Sequence, residues 1–381
     1  MQDDSSYRML IERYRTWIFD APPSDLFLLM IKASCTPEDA RFLSRFPFLP
    51  HTLEQLSDRM GLSMDELTAR MAPLLRRGLL YEAQGKSSVR YCLNDSVFGS
   101  YRMPGWAGVD DEWNRAYAPL ANRYYIQHMG ADFLGHQTKG LRAIPIEKTI
   151  RDTRQILPYE DVMAFVELED YHTVSTCACR HRHNLDPDFA SCRHETMNCL
   201  HFGPLGRYIV KYGMGKEISR EQTREILRNA ADAGLVHGIS NYRSKMDTIC
   251  NCCSCCCLFL ESIAIAPPNP RGHQRSNYCI EHDPGTCKAC GLCEKRCPVG
   301  AIKQTGHTDP PGDENRKNRE KKEVVYDPDQ CIGCGVCAHK CPTQSLKLVR
   351  RNGPEEDIPE SPSDAGRRML QERQRDYAKI F

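Results

Sequence analysis

A length of 381 residues leaves room for two to four domains. Hydrophobic residues at 40% and charged residues at 27% describe a globular chain and exclude one disordered for want of apolar content. The formal net charge of +1 supplies no field to hold a polyanion, so nucleic acid is not expected as a partner on charge.

The opening Met1-Gln2-Asp3-Asp4-Ser5-Ser6 is acidic, whereas a secretory leader is basic and then apolar. The apolar run Leu26–Ile31 is far shorter than the ~20 residues of a membrane helix. A cytoplasmic protein with no membrane span is the expectation. Cysteine is the outlier: there are 21, and 19 of them follow residue 176. In a cytoplasmic chain of this size, thiols in such numbers serve as metal ligands rather than disulfides. Their crowding points to a reducing, anaerobic setting.

In chain order, residues 1–104 form the first expected unit. Leu53, Leu56 and Met60 share one helical face, Gly61 makes a turn, and Ser63 caps a second helix running to Arg77. Leu79–Ala83 and Val89–Leu93 then read as a hairpin. Helix, turn, helix and hairpin in that order resemble a winged-helix domain. That resemblance implies a DNA-binding or protein-docking module. The second helix opens Ser63-Met64-Asp65-Glu66, with two carboxylates where phosphate contacts would begin. Residues 51–102 hold seven Lys or Arg against six Asp or Glu, so docking or dimerisation is the stronger expectation.

Residues 105–276 form the second unit, expected to be mainly helical with a cysteine-rich metal region. Trp113, Tyr117, Leu120, Tyr124 and Tyr125 fall near helical spacing, and Ser219–Ala233 reads as a helix. The thiols fall in two groups: Cys177, Cys179, Cys192 and Cys199, then six cysteines between Cys250 and Cys257. In the second group, Cys250, Cys253 and Cys256 make the C-x2-C-x2-C set, while Cys252 and Cys255 form another C-x2-C pair. So dense a run exceeds any need of core packing, so Cys177, Cys179, Cys192, Cys199, Cys250, Cys253 and Cys256 are candidate metal ligands. Either each group serves its own [4Fe–4S] cluster, or both build one larger or non-cubane centre. One or two further iron–sulfur centres are expected. His172, His181, His183, His194 and His201 are secondary candidates as ligands or proton carriers, and Arg180, Arg182 and Arg193 could set positive charge beside a centre. No phosphate-binding glycine loop is present. Flavin, which has no dependable short signature, stays open.

Residues 277–349 form the third unit. Cys287, Cys290, Cys293 and Cys297-Pro298 satisfy C-x2-C-x2-C-x3-C-P, and Cys331, Cys334, Cys337 and Cys341-Pro342 repeat it 44 residues later. Each copy begins Asp-Pro, carries Gly after its second cysteine (Gly291, Gly335) and is flanked by strand-like residues. This duplication is similar to the bacterial two-[4Fe–4S] ferredoxins over about a fifth of the chain. The resemblance implies crossed ligation: Cys287, Cys290, Cys293 and Cys341 for one cluster, Cys331, Cys334, Cys337 and Cys297 for the other. A polar insertion at 305–323, with Arg316–Lys322, is a surface loop or a docking loop for an acidic redox partner. The last unit, 350–381, is a charged tail ending in a helix from about Asp364 that carries Met369, Leu370, Tyr377, Ile380 and Phe381.

The fold class expected is α+β multidomain: winged helix, mainly helical middle, ferredoxin-like dicluster domain. The function expected is multi-cluster electron transfer, as an iron–sulfur oxidoreductase or its electron-transfer subunit. The expected partners are redox proteins, with a homo-oligomer or larger complex open. The alternative is a redox-sensing DNA-binding regulator acting through the winged helix.

Overall fold

The computed structural model describes residues 4–85, 87–244, 246–260, 272–305 and 323–375. The central insertion at 306–322, the Pro267–Arg271 turn, and Tyr377, Ile380 and Phe381 therefore lie outside the described residues.

The N-terminal helices begin at capping residues that satisfy their first free N–H groups. Thr52 starts the Leu53–Met60 helix, and Ser63 starts Met64–Arg76, each in a reciprocal capping box with Gln55 or Glu66. Glu66 thus has a structural duty at the helix start. Gly61 ends the first of these helices in the left-handed conformation. Strands β1 (Leu80–Gln84) and β2 (Val89–Leu93) pair as the expected hairpin. That hairpin does not project freely. Tyr208 donates its hydroxyl to the carbonyls of Leu75 (2.9 Å) and Leu80 (2.8 Å), and Glu82 accepts from Lys211 (2.6 Å) and Tyr212 (2.8 Å).

The middle of the chain corrects the expectation of a mainly helical unit. Helix Glu112–Tyr124 is present where expected, as is Arg220–Ala233. The centre, however, is a seven-stranded sheet. Its strands are β3 (Leu141–Ile144), β4 (His172–Thr176), β5 (Met197–Phe202), β6 (Lys216–Ile218), β7 (Val236–Ser240), β8 (Thr248–Cys252) and β9 (His273–Gln274). They lie in the order β6-β4-β5-β8-β7-β3-β9, all antiparallel except β3–β9. The strands escape pattern reading for a physical reason. They are short, and several are buried on both faces while carrying polar residues: all five positions of His172-Thr-Val-Ser-Thr are buried. No apolar–polar alternation survives that arrangement.

In the C-terminal part, β10 (Tyr278–His282) pairs with β13 (Leu346–Arg350), and β11 (Ile302–Thr305) with β12 (Glu323–Tyr326). The two repeats thus interleave, with Tyr278, Ile280, Ile302, Leu346 and Leu348 as their shared core. This part is docked on the central sheet. Ile146, just after β3, donates its N–H to the Cys334 carbonyl (3.1 Å), and Cys334 and Val336 join the same apolar cluster as Leu141 and Val236. The closing helix is Pro362–Glu372, with Met369 and Leu370 buried. It returns to the start of the chain, where Arg375 pairs with Asp20 (3.1 Å).

Candidate metal centres

Strand pairing assembles the first thiol group. β5 and β8 run side by side with Leu200 opposite Ile249, which puts Cys199 opposite Cys250. Cys250 and Cys252 are two apart on β8 and so share a face. Cys177 follows the end of β4, Cys179 lies in the first turn of the Ala178–Leu185 helix, and Cys257 arrives from the turn after β8. These six thiols, with Cys253 of the neighbouring group, line one cavity of about 30 Å³ together with Arg102, Trp106 and Phe259. Hydrogen bonds link Cys177 to Cys179, Cys179 to Cys257, Cys257 to Cys252, Cys252 to Cys250 and Cys250 to Cys199.

The second group has four members. The sulfurs of Cys192, Cys253, Cys255 and Cys256 all lie within 4.8 Å of one another. Cys255 is 3.6 Å from Cys192 and 3.5 Å from Cys256, and Cys192 is 4.0 Å from Cys253. A metal–sulfur bond of about 2.3 Å gives a tetrahedron of sulfurs with edges of about 3.8 Å. Three of the separations lie close to that edge, so the four sulfurs are spaced to take one ion. Among the described residues, no three thiols of the C-terminal repeats approach as closely.

Both groups suit soft, thiolate-binding metals by donor chemistry: sulfur only, with no carboxylate in either set. Hydrogen bonding within the four-thiol group shifts its members in opposite directions. Hydrogen bonds from Cys255 and Cys256 hold Cys253 far below the usual thiol range, against burial and with help from Arg180. Cys255, donating to Cys253, is pushed up to about 12. Four adjacent sulfurs cannot all ionise unless positive charge sits among them.

Two buried arginines supply part of that charge. Arg102 approaches Cys250 Sγ at 3.6 Å from the wide turn Phe98–Arg102, and lies over the Phe98 and Trp106 rings. Burial alone would lower its proton affinity, but Cys250, Cys199 and Cys179 outweigh burial and raise it. Arg180 stands between the two groups. It donates to Glu195 O (2.8 Å) and Asn198 Oδ1 (2.7 Å), while Cys177 on one side and Cys253 and Cys192 on the other hold its charge against burial.

The sequence-predicted residues are thus regrouped. Cys192 leaves Cys177, Cys179 and Cys199 to join Cys253 and Cys256, whereas Cys250 joins Cys199. Cys252, Cys255 and Cys257 complete the two groups and were absent from the candidate ligands. The Cys252–Cys255 spacing was their one visible signal, and it does not separate them. Of the secondary candidates, His172 bridges Thr223 and Glu169, and Arg193 is exposed. Asn122 accepts from Arg182. His201 binds Ser175 Oγ (2.8 Å), and burial pushes its pKa down to about 3. His194 is held low by burial, with Cys253 as its nearest opposing influence, and His181 is likewise lowered by burial. His183 packs on the Phe189 ring.

In the C-terminal repeats, backbone N–H groups reach sulfur: Ala289 to Cys287 (3.3 Å), Ala301 to Cys297 (3.2 Å) and Gly333 to Cys331 (3.4 Å). Such bonds stabilise a thiolate and tune a bound centre. Burial first, then the neighbouring thiols Cys331 and Cys297, raise Cys334; Cys297 also acts on Cys337. Cys297 packs against the same cluster as Cys331 and Cys337, as do Cys293 and Cys341. Residues 286–345 match the family model of the 4Fe-4S dicluster domain. No curated protein and no solved structure matches the chain. A match to a 4Fe-4S dicluster domain, together with a four-cysteine group spaced to take a metal ion, points to iron–sulfur electron transfer.

Proposed function

We propose that this protein is the redox subunit of an anaerobic oxidoreductase that moves electrons between a ferredoxin-like dicluster part and centres in the middle of the chain. Four parts carry the reading: residues 1–104 as a docking module, 105–276 as the thiol-bearing core, 277–349 as the dicluster part and 350–381 as a charged tail. Cys287, Cys290, Cys293 and Cys341 would hold one [4Fe–4S] cluster, and Cys331, Cys334, Cys337 and Cys297 the other. Cys192, Cys253, Cys255 and Cys256 would hold a tetrahedral iron. The six thiols of the neighbouring group would hold a further iron–sulfur centre.

One observation carries the relay. Arg296, next to Cys297, donates from Nε to Val336 O (3.1 Å), from Nη1 to Asp232 O (3.1 Å) and from Nη2 to Ala231 O (2.9 Å). Ala230, one residue earlier, packs against Cys253 and Cys256. A single side chain thus ties both repeat loops to the helix end that covers the four-thiol group. Asp232 reinforces the joint by accepting from His339 Nε2 (2.6 Å) and Lys340 (2.9 Å).

Metal and sulfide analysis of anaerobically purified protein tests the reading. Two cubanes account for about eight iron and about eight sulfide per chain. The proposal expects more of both, with iron in excess of sulfide because a tetrahedral iron brings none. Values that stop at eight each reject the additional centres, and zinc in place of the excess iron rejects the relay through Cys253.

The docking reading of the N-terminal part rests on its hairpin being packed against the Gly203–Lys211 helix, and on Arg70 and Arg77 being engaged with Glu38 and Asp39. Those contacts occupy one side of the hairpin and offset two of the cations that a DNA-binding regulator would use.

A further inference from the structure

The two thiol groups of the middle part meet at the backbone itself. Cys252 and Cys253 are consecutive residues, with Cα atoms about 3.8 Å apart, yet Cys252 belongs to the six-thiol group and Cys253 to the four-thiol group. Cys256 and Cys257 repeat the arrangement. The first joins Cys192, Cys253 and Cys255, and the second hydrogen-bonds Cys179 and Cys252. Side chains continue the contact, since Cys253 also lines the six-thiol cavity and Cys179 packs against the cluster that holds Cys253 and Cys256. Cys252, Cys253, Cys256 and Cys257 are all buried, so little water separates the groups.

One side chain ties together the segments that form this junction. Arg180 follows Cys179 and donates to Glu195 O, Asn198 Oδ1 and Asn251 O. Those acceptors lie between Cys192 and Cys199, next to Cys199, and between Cys250 and Cys252. The buried guanidinium thus fixes segments that carry cysteines of both groups. A charge held there, away from water, acts on both groups at once. Arg102 differs, because its thiol neighbours Cys250, Cys199 and Cys179 all belong to the six-thiol group.

We infer that the two groups hold one coupled redox pair, in which an electron crosses directly between the centres and Arg180 is the positioning residue that serves both. The inference deepens the relay proposed above by naming one of its steps, and rests on that reading for iron in both groups. In this step ferrous iron among Cys192, Cys253, Cys255 and Cys256 gives up one electron and becomes ferric, and the six-thiol centre is reduced by that electron. The dicluster part resupplies it, and no bond is made or broken. Because the centres share one region of low dielectric, the charge on each sets how readily the other is reduced.

Electron paramagnetic resonance of the anaerobic holoprotein tests this without any substitution: where both centres are paramagnetic, each signal should be split or broadened by the other. Cys192→Ala combined with Cys255→Ala empties the four-thiol site, and neither residue lines the six-thiol cavity. About one iron and no sulfide should be lost, and the splitting should vanish. Reduction of the six-thiol centre should then become at least about tenfold more favourable, about 59 mV for one electron, because negative charge has left its neighbour. Arg180→Gln should disfavour reduction of both centres together, by at least about fivefold each. If that protein loses iron, Arg180→Lys is read in its place, with a smaller shift in the same direction at both centres. Unsplit signals, an unchanged six-thiol potential after the neighbouring site is emptied, or an Arg180 effect confined to one centre overturns the inference. Iron and sulfide above about eight each with unsplit signals reject the coupling alone, whereas counts that stop there reject the additional centres themselves.

Discussion

Replacing Arg102 with Met should make the potential of the six-thiol centre more negative. The guanidinium lies 3.6 Å from Cys250 Sγ. At an effective dielectric of about 20, a unit charge at that distance interacts with about 4.6 kcal/mol. An added electron is spread over the whole centre, so roughly a third to a half of that, about 1.5–2.3 kcal/mol, is the differential stabilisation of the reduced state. At about 2.3 kcal/mol per 100 mV, this is a shift of about 65–100 mV. Arg102→Lys keeps the charge and should shift the potential by less than half as much. Anaerobic redox titration followed by electron paramagnetic resonance reads the difference, with iron content as the control for loading. A shift below about 20 mV in a fully loaded Arg102→Met protein would refute the assigned role of this charge.

Gly105→Ala would place a methyl 2.8 Å from Ala178 Cα and 2.9 Å from Ala178 Cβ, forcing the Arg102 segment away from the helix that carries Cys179. A loss of about 1–3 kcal/mol in a urea titration, with reduced iron, is expected; native stability would contradict this close approach. Arg296→Ala removes charged donors to three carbonyls, costing about 1.5–3 kcal/mol at the joint. Hydrogen exchange over residues 228–235 should rise and electron transfer between the two halves should slow, whereas unchanged exchange argues against the joint.

The C-terminal repeats were legible in the sequence because cluster-binding loops are local objects. Cys-x2-Cys-x2-Cys confines three sulfurs to one tight loop whatever surrounds it. The capped helices were equally legible: Ser63 with Glu66 and Ser219 with Gln222 place their partners three residues apart, and each pair forms the reciprocal cap. The sheet was hidden because its strands are short and buried on both faces, so polar residues such as His172, Thr173 and Asn251 stand where an alternating pattern would require apolar ones. The division of the middle thiols was hidden for a related reason. Cys199 and Cys250 meet through a strand register, and Cys192 reaches Cys253 across 61 residues of chain. The sequence alone thus determined that this chain holds many thiols with metal-binding spacing and an iron–sulfur repeat. Which thiols share a site and which arginine faces them were decided by tertiary structure, because each depends on pairing between distant segments.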